Sequence, residues 1–198
     1  NRLTLSRNIM KVLITGSSGL ARSLSDKITR ASLFDVNIVN EARIEDLLLW
    51  ESWEWNEYDA FINCAHVDFE QCNLLMKCFL AMGQDPNKTI INISSRAAQP
   101  NISKGYLYAA QKAALNHLST NLVYNSDKRC RITTVNLGLL EHQDLPSVGY
   151  HEVSRWIYDH LKASSETDVP EITIQNRANY QGVQSDKETL RDIKRMTK

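Results

Sequence analysis

The stretch Lys11-Val12-Leu13-Ile14-Thr15-Gly16-Ser17-Ser18-Gly19-Leu20-Ala21 decides how the chain is organised. Val12 to Thr15 are apolar or β-branched, and the run stops at a glycine, the pattern of a short buried strand entering a turn. Leu20, Leu24 and Ile28 follow at helical intervals, so the turn opens a helix over Leu20 to Ala31. A strand ending in glycines at a helix start gathers backbone amides where an anion can sit. Gly16 makes the turn, Gly19 permits close approach, and Ala21 takes the position where helix packs on strand. Taken alone, Gly-Ser-Ser-Gly reads equally as a plain structural turn.

Working outward, further strands are expected over Phe34–Val39, Ala60–Cys64, Thr89–Ser94, Cys130–Asn136 and Glu171–Gln175. Helices are expected over Ile44–Trp53, with Ile44, Leu47, Leu48 and the Trp50/Trp53 pair on one face, and over Glu70–Met82, Tyr108–Val123 and His151–Ala163. Any strand in the short entry to the Ile44 helix is vestigial. Alternating elements of these lengths predict βαβ units: an α/β fold, doubly wound, its parallel sheet covered on both faces. One domain spans residues 11–178. Residues 1–10 read as a leader, and residues 179–198 as an appendage whose short charged helix opens at Ser185-Asp186-Lys187-Glu188.

Composition removes several function classes. Lys plus Arg equals Asp plus Glu at 23 each, with no basic block, so a nucleic-acid partner is not expected. No apolar run reaches the roughly 20 residues of a membrane span, and the leader lacks the apolar centre of a signal peptide. Cys64, Cys72, Cys78 and Cys130 form no C-x-x-C pair and read as reduced thiols in a cytoplasmic protein. The histidines form no ligand pair, so no metal site is expected.

Two sets of residues carry chemistry. Asn40 ends the second strand, where a ribose would be recognised; it opposes a 2′-phosphate less than an acidic residue would, and Arg43 could pair with one. The pair leans to NADP over NAD, while Arg43 reads equally as a solvated surface charge. Tyr108 and Lys112 lie one turn apart on one helix face. An ammonium there stabilises a phenolate, making Tyr108 usable as an acid or base near neutral pH. Ser95, ending the preceding strand, can donate to a carbonyl oxygen. A surface Tyr and Lys at helical spacing is the bland alternative.

Five segments then stand in one order: Thr15 to Arg22, Ile62-Asn63-Cys64-Ala65-His66, Ile90-Ile91-Asn92-Ile93-Ser94-Ser95, Tyr108-Ala109-Ala110-Gln111-Lys112 and Val135-Asn136-Leu137-Gly138. Over about Lys11 to Gln175 the chain thereby resembles the short-chain dehydrogenase/reductase family, whose fold is a Rossmann-like doubly wound parallel sheet. The resemblance implies an NAD(P)-dependent oxidoreductase acting on a small carbonyl or alcohol substrate. Tyr108 would be the general acid or base, Lys112 would hold the nicotinamide ribose, and Ser95 would polarise the substrate oxygen. Asn73 resembles the helix asparagine that supports a relay water. The cofactor would lie along Gly16, Ser17, Ser18, Gly19, Leu20, Asn63, Cys64, Ala65 and Gly138, and Leu139 to Tyr150 would be the substrate-covering loop. The helices at Glu70–Met82 and Tyr108–Val123 would pair in a homodimer or homotetramer. The sequence departs from the family at its shortened glycine loop, at His66 in place of a glycine, and at Leu137 in place of a proline. Asn63 to His66 also resembles the nucleotide-sugar reductases of the same superfamily, and a non-catalytic dinucleotide sensor is the reading from a different class.

Overall fold

The computed structural model describes residues 9–31, 33–100, 105–163 and 166–179. Residues 1–8 of the expected leader and the appendage helix lie outside the described residues, while Met10, read as leader, belongs to β1. In chain order the elements are β1 (Met10–Thr15), α1 (Gly19–Thr29), β2 (Phe34–Val39), α2 (Ile44–Leu48), α3 (Ser52–Asn56), β3 (Ala60–Asn63), α4 (Glu70–Met82), β4 (Thr89–Ser95), α5 (Tyr106–Val123), β5 (Arg131–Leu137), α6 (Tyr150–Lys162) and β6 (Glu171–Ile174).

All six strands are parallel, in the order β2-β1-β3-β4-β5-β6. Ile14 of β1 stands between Ile38 of β2 and Ile62 of β3. β3 and β5 are buried at every position and β4 at all but its last, because helices cover both faces and no side of these strands meets water. Successive side chains alternate between two cores. Val12, Ile14, Ile62, Ile91 and Val135 pack against Leu24 and Ile28 of α1 and Val153, Ile157 and Leu161 of α6. Leu13, Phe61, Ile90 and Ile132 face Leu47, Trp55, Leu74, Cys78 and Leu115 on the opposite side.

One expected helix is broken. The segment read as continuous over Ile44–Trp53 is two short helices, because Glu51 starts a new one: its carboxylate accepts from the third amide of α3, and Glu54 accepts from the Glu51 amide at 2.7 Å. The break turns Trp53 into solvent and buries Trp55, which meets Trp50 and Phe61 edge-on at 5.4 and 5.1 Å between ring centroids. Among the described residues no strand lies between β2 and β3. The strand order reverses at β1, so a crevice opens at the carboxyl ends of β1 and β3, the place where sheets of this kind receive ligands.

Candidate active site

A single hydroxyl ties the crevice together. Thr15 Oγ1, fully buried at the end of β1, accepts from the amides of Cys64 and Ala65 at 2.9 and 3.1 Å, fixing the path of the chain off β3. Gly16 follows at φ 100°, where a Cβ would also stand 3.1 Å from that of Ala21. Gly19 opens α1 at φ 49°, and a Cβ there would lie 3.2 Å from the Tyr150 hydroxyl. Both positions demand glycine. Ser18 is the N-cap of α1 but makes no side-chain cap bond, and the first turn holds no acidic residue. The helix start is thus electrostatically suited to an anion. Leu20 is buried in the core, so only its backbone faces the loop.

The end of β2 differs in detail from the sequence reading. Asn40 is exposed and makes no side-chain cap bond, and Arg43 is engaged by Asp46 at 2.9 Å. Glu41, which the sequence reading passed over, turns to the glycine loop instead, and Ser17 Oγ donates to its carboxylate at 3.2 Å. Its signal was an acidic residue one step beyond the expected strand end.

Lys112 is 3% exposed. Its Nζ donates to Gln71 Oε1 at 2.6 Å and to the Ile93 carbonyl at 2.9 Å, and lies 5.7 Å from the centroid of the Tyr108 ring. Burial pushes the ammonium down to about 8. Gln71 is held in turn, its Nε2 donating to the carbonyls of Asn63 and Ile93 at 2.8 and 3.1 Å. Asn63 Nδ2 returns a bond to the Gln71 carbonyl and reaches Asn92 Oδ1. Burial drives the Cys64 thiol up to about 12, so it stays protonated.

Asn73 does not reach the place expected of it. It sits on the outer side of α4 and donates to Glu70 at 3.1 Å, while the inward face is Gln71, Leu74, Leu75, Cys78 and Met82. Two residues along a helix rotate a side chain by roughly 200°, so Gln71 and Asn73 cannot share a face. Gln71, in phase with the apolar positions, is the α4 residue that meets Lys112.

Tyr108 lies in the first turn of α5, 37% exposed, its ring edge-to-face with His66 at 4.8 Å. Ser95 closes β4 at the same edge of the sheet; its Oγ accepts from the Ala97 amide at 3.1 Å and reaches the Leu137 carbonyl at 3.5 Å. The structure accounts for Gly138 by packing: a Cβ there would stand 2.7 Å from that of Gln175, and its amide donates to Ile174. In the loop from Leu139 to Gly149, His142 Nδ1 accepts from the amides of Asp144 and Leu145, and Glu141 accepts from the Tyr150 amide at 2.6 Å. The arrangement can therefore cradle phosphates at the glycine loop and present a phenol beside a buried amine.

No family model and no curated protein matches the chain. Solved structures do. A serine dehydrogenase complexed with NADP+ shares 17% identity at a TM-score of 0.69, covering 85% of this chain and 96% of its own. Serine dehydrogenase from Escherichia coli gives 18% and 0.68, covering 85% and 99%. A short chain dehydrogenase from Burkholderia cenocepacia in complex with NADP gives 15% and 0.70, covering 95% and 98%. The chain has the single-domain, Rossmann-like fold of these short-chain dehydrogenases.

Proposed function

We propose that the chain is a member of the short-chain dehydrogenase/reductase family and an oxidoreductase for a small carbonyl or alcohol compound. It would use NADP(H) or NAD(H), with Tyr108 as the general acid or base. One observation carries the reading: a buried amine of lowered basicity one helical turn from a partly exposed phenol, at the carboxyl edge of a parallel sheet. The residues present fit a dinucleotide, since two glycines at positive φ and an uncapped helix start form a cradle that a Cβ would fill. Bound there, the nicotinamide supplies or accepts the hydride. Lys112 then holds a positive charge near the phenol, and Tyr108 moves a proton at the substrate oxygen. Gln71 fixes where that charge sits, and Ser95 orients the oxygen once its hydroxyl turns from Leu137.

The dinucleotides of the structural relatives favour NADP(H), as do Asn40 and a freed Arg43; the Glu41 carboxylate works the other way. Four free thiols suit the cytoplasm, and exposed Met76 and Leu80 on α4 suit pairing of α4 and α5 between copies. A non-catalytic sensor is favoured by one observation, that the Ser95 hydroxyl is already engaged.

The experiment is nicotinamide fluorescence titration with both reduced cofactors, then turnover with a panel of aldehydes and ketones. Tyr108→Phe is expected to keep cofactor affinity within about twofold and to lower kcat by at least ~100-fold. Failure of both dinucleotides to bind, or unchanged turnover in the variant, overturns the reading.

A further inference from the structure

His66 leaves the end of β3 directly toward Tyr108, and its orientation is set from behind. Gln111, one turn along α5 and 5% exposed, presents Oε1 to His66 Nε2 at 2.9 Å, while its Nε2 donates to Asp68 Oδ1 at 3.3 Å. A carboxylate only accepts, so Asp68 decides which way the amide faces. The amide oxygen also only accepts, so the imidazole must carry its proton on Nε2. Nδ1 is left as the basic lone pair. The ring so fixed lies edge-to-face on Tyr108, with planes 69° apart. The segment that bears it is held at its root by the Thr15 hydroxyl on Ala65.

We propose that His66 is a positioning residue for Tyr108: the Asp68–Gln111–His66 chain holds a neutral imidazole as the wall that sets the phenol ring's direction, and the hold is lost when Nδ1 takes up a proton. The inference rests on Tyr108 being the proton-transfer group. An imidazolium here would be repelled by the Lys112 ammonium, which borders the same phenol ring at 5.7 Å. The groups around His66 agree with a neutral resting state. Burial and Lys112 lower its basicity, opposed by the bond it donates to Gln111 and by Asp68, with the balance downward. Neutral pH therefore leaves the wall in place, and acid removes it.

The test is NMR on the full chain, labelled at the tyrosine ζ carbons and the histidine ring nitrogens, and it needs no substrate. Expected in the wild type are a neutral His66 protonated on Nε2, and a small inflection of the Tyr108 ζ carbon at the pH where His66 titrates. Gln111→Glu, which sets a carboxylate on Nε2, should move that inflection up by about one pH unit. His66→Phe should abolish it. A proton found on Nδ1, a Tyr108 signal blind to the His66 titration, or an inflection surviving in His66→Phe would overturn the proposal. The turnover of Tyr108→Phe judges the underlying reading separately.

Discussion

Lys112 and Arg131 are both nearly excluded from water, at 3% and 6% exposure, and burial lowers the basicity of both, yet the two ends of the sheet solvate their charges to different degrees. Arg131 begins β5 at the amino end. Its Nε and Nη2 donate to Thr89 Oγ1 at 3.2 and 2.9 Å, and its Nη1 to the carbonyls of His160 and Ala163 at 3.2 and 3.3 Å. It satisfies the last turn of α6, where carbonyls concentrate negative potential, and a guanidinium keeps its proton there. Lys112, at the carboxyl end, has only an amide oxygen and one carbonyl, and titrates near 8. Full solvation of a cation by protein oxygens makes a staple. Partial solvation makes an amine whose charge can be felt, and lost, near neutral pH.

The contrast is broken most directly by removing each charge in turn. Arg131→Met strands Thr89 and the α6 carbonyls and should cost about 3 to 4 kcal/mol of stability in urea unfolding. Cofactor affinity of the folded variant should be unchanged. Lys112→Met should cost less than about 1.5 kcal/mol, because relief of a buried charge offsets the lost bonds, while turnover falls at least ~100-fold. Equal losses of stability in the two variants would erase the distinction.

The pH dependence of stability sharpens it. Lys112 titrates near 10.5 in the unfolded chain and about 8 in the fold. Between those values the unfolded state holds more protons, so stability must rise with pH across that window, by up to about 3 kcal/mol from this residue. Buried thiols such as Cys64 act in the opposite sense above pH 9. The measurement is therefore the wild-type unfolding curve minus that of Lys112→Met from pH 7.5 to 10.5. A flat difference would remove the claim of a desolvated amine. The smallest effect belongs to an exposed charge at the same end: Glu41→Gln should shift the ratio of NADPH to NADH affinity about tenfold toward NADPH, roughly 1.4 kcal/mol, read by fluorescence titration.

What the sequence disclosed follows from local periodicity. The strand and glycine turn at residues 11–19, the bounds of α4, and the turn that brings Tyr108 and Lys112 onto one face are all set by neighbours a few residues away. Asn73 matches in residue type but not in helical phase, which points to Gln71. The break before α3 was hidden because Glu51 is an unusual cap. Gly138 reads like a cofactor glycine, and its packing against Gln175, one residue past β6, is too distant in sequence to be read from periodicity.

The spatial order β2-β1-β3-β4-β5-β6 also bears on how the molecule is assembled on the ribosome. Apart from β3, which crosses to the far side of β1, every strand is laid against the one synthesised just before it, so after β2 the sheet grows from a single edge in the order in which the polypeptide emerges. No later strand has to be inserted between two earlier ones, and each nascent edge waits only for the next crossover to cover it.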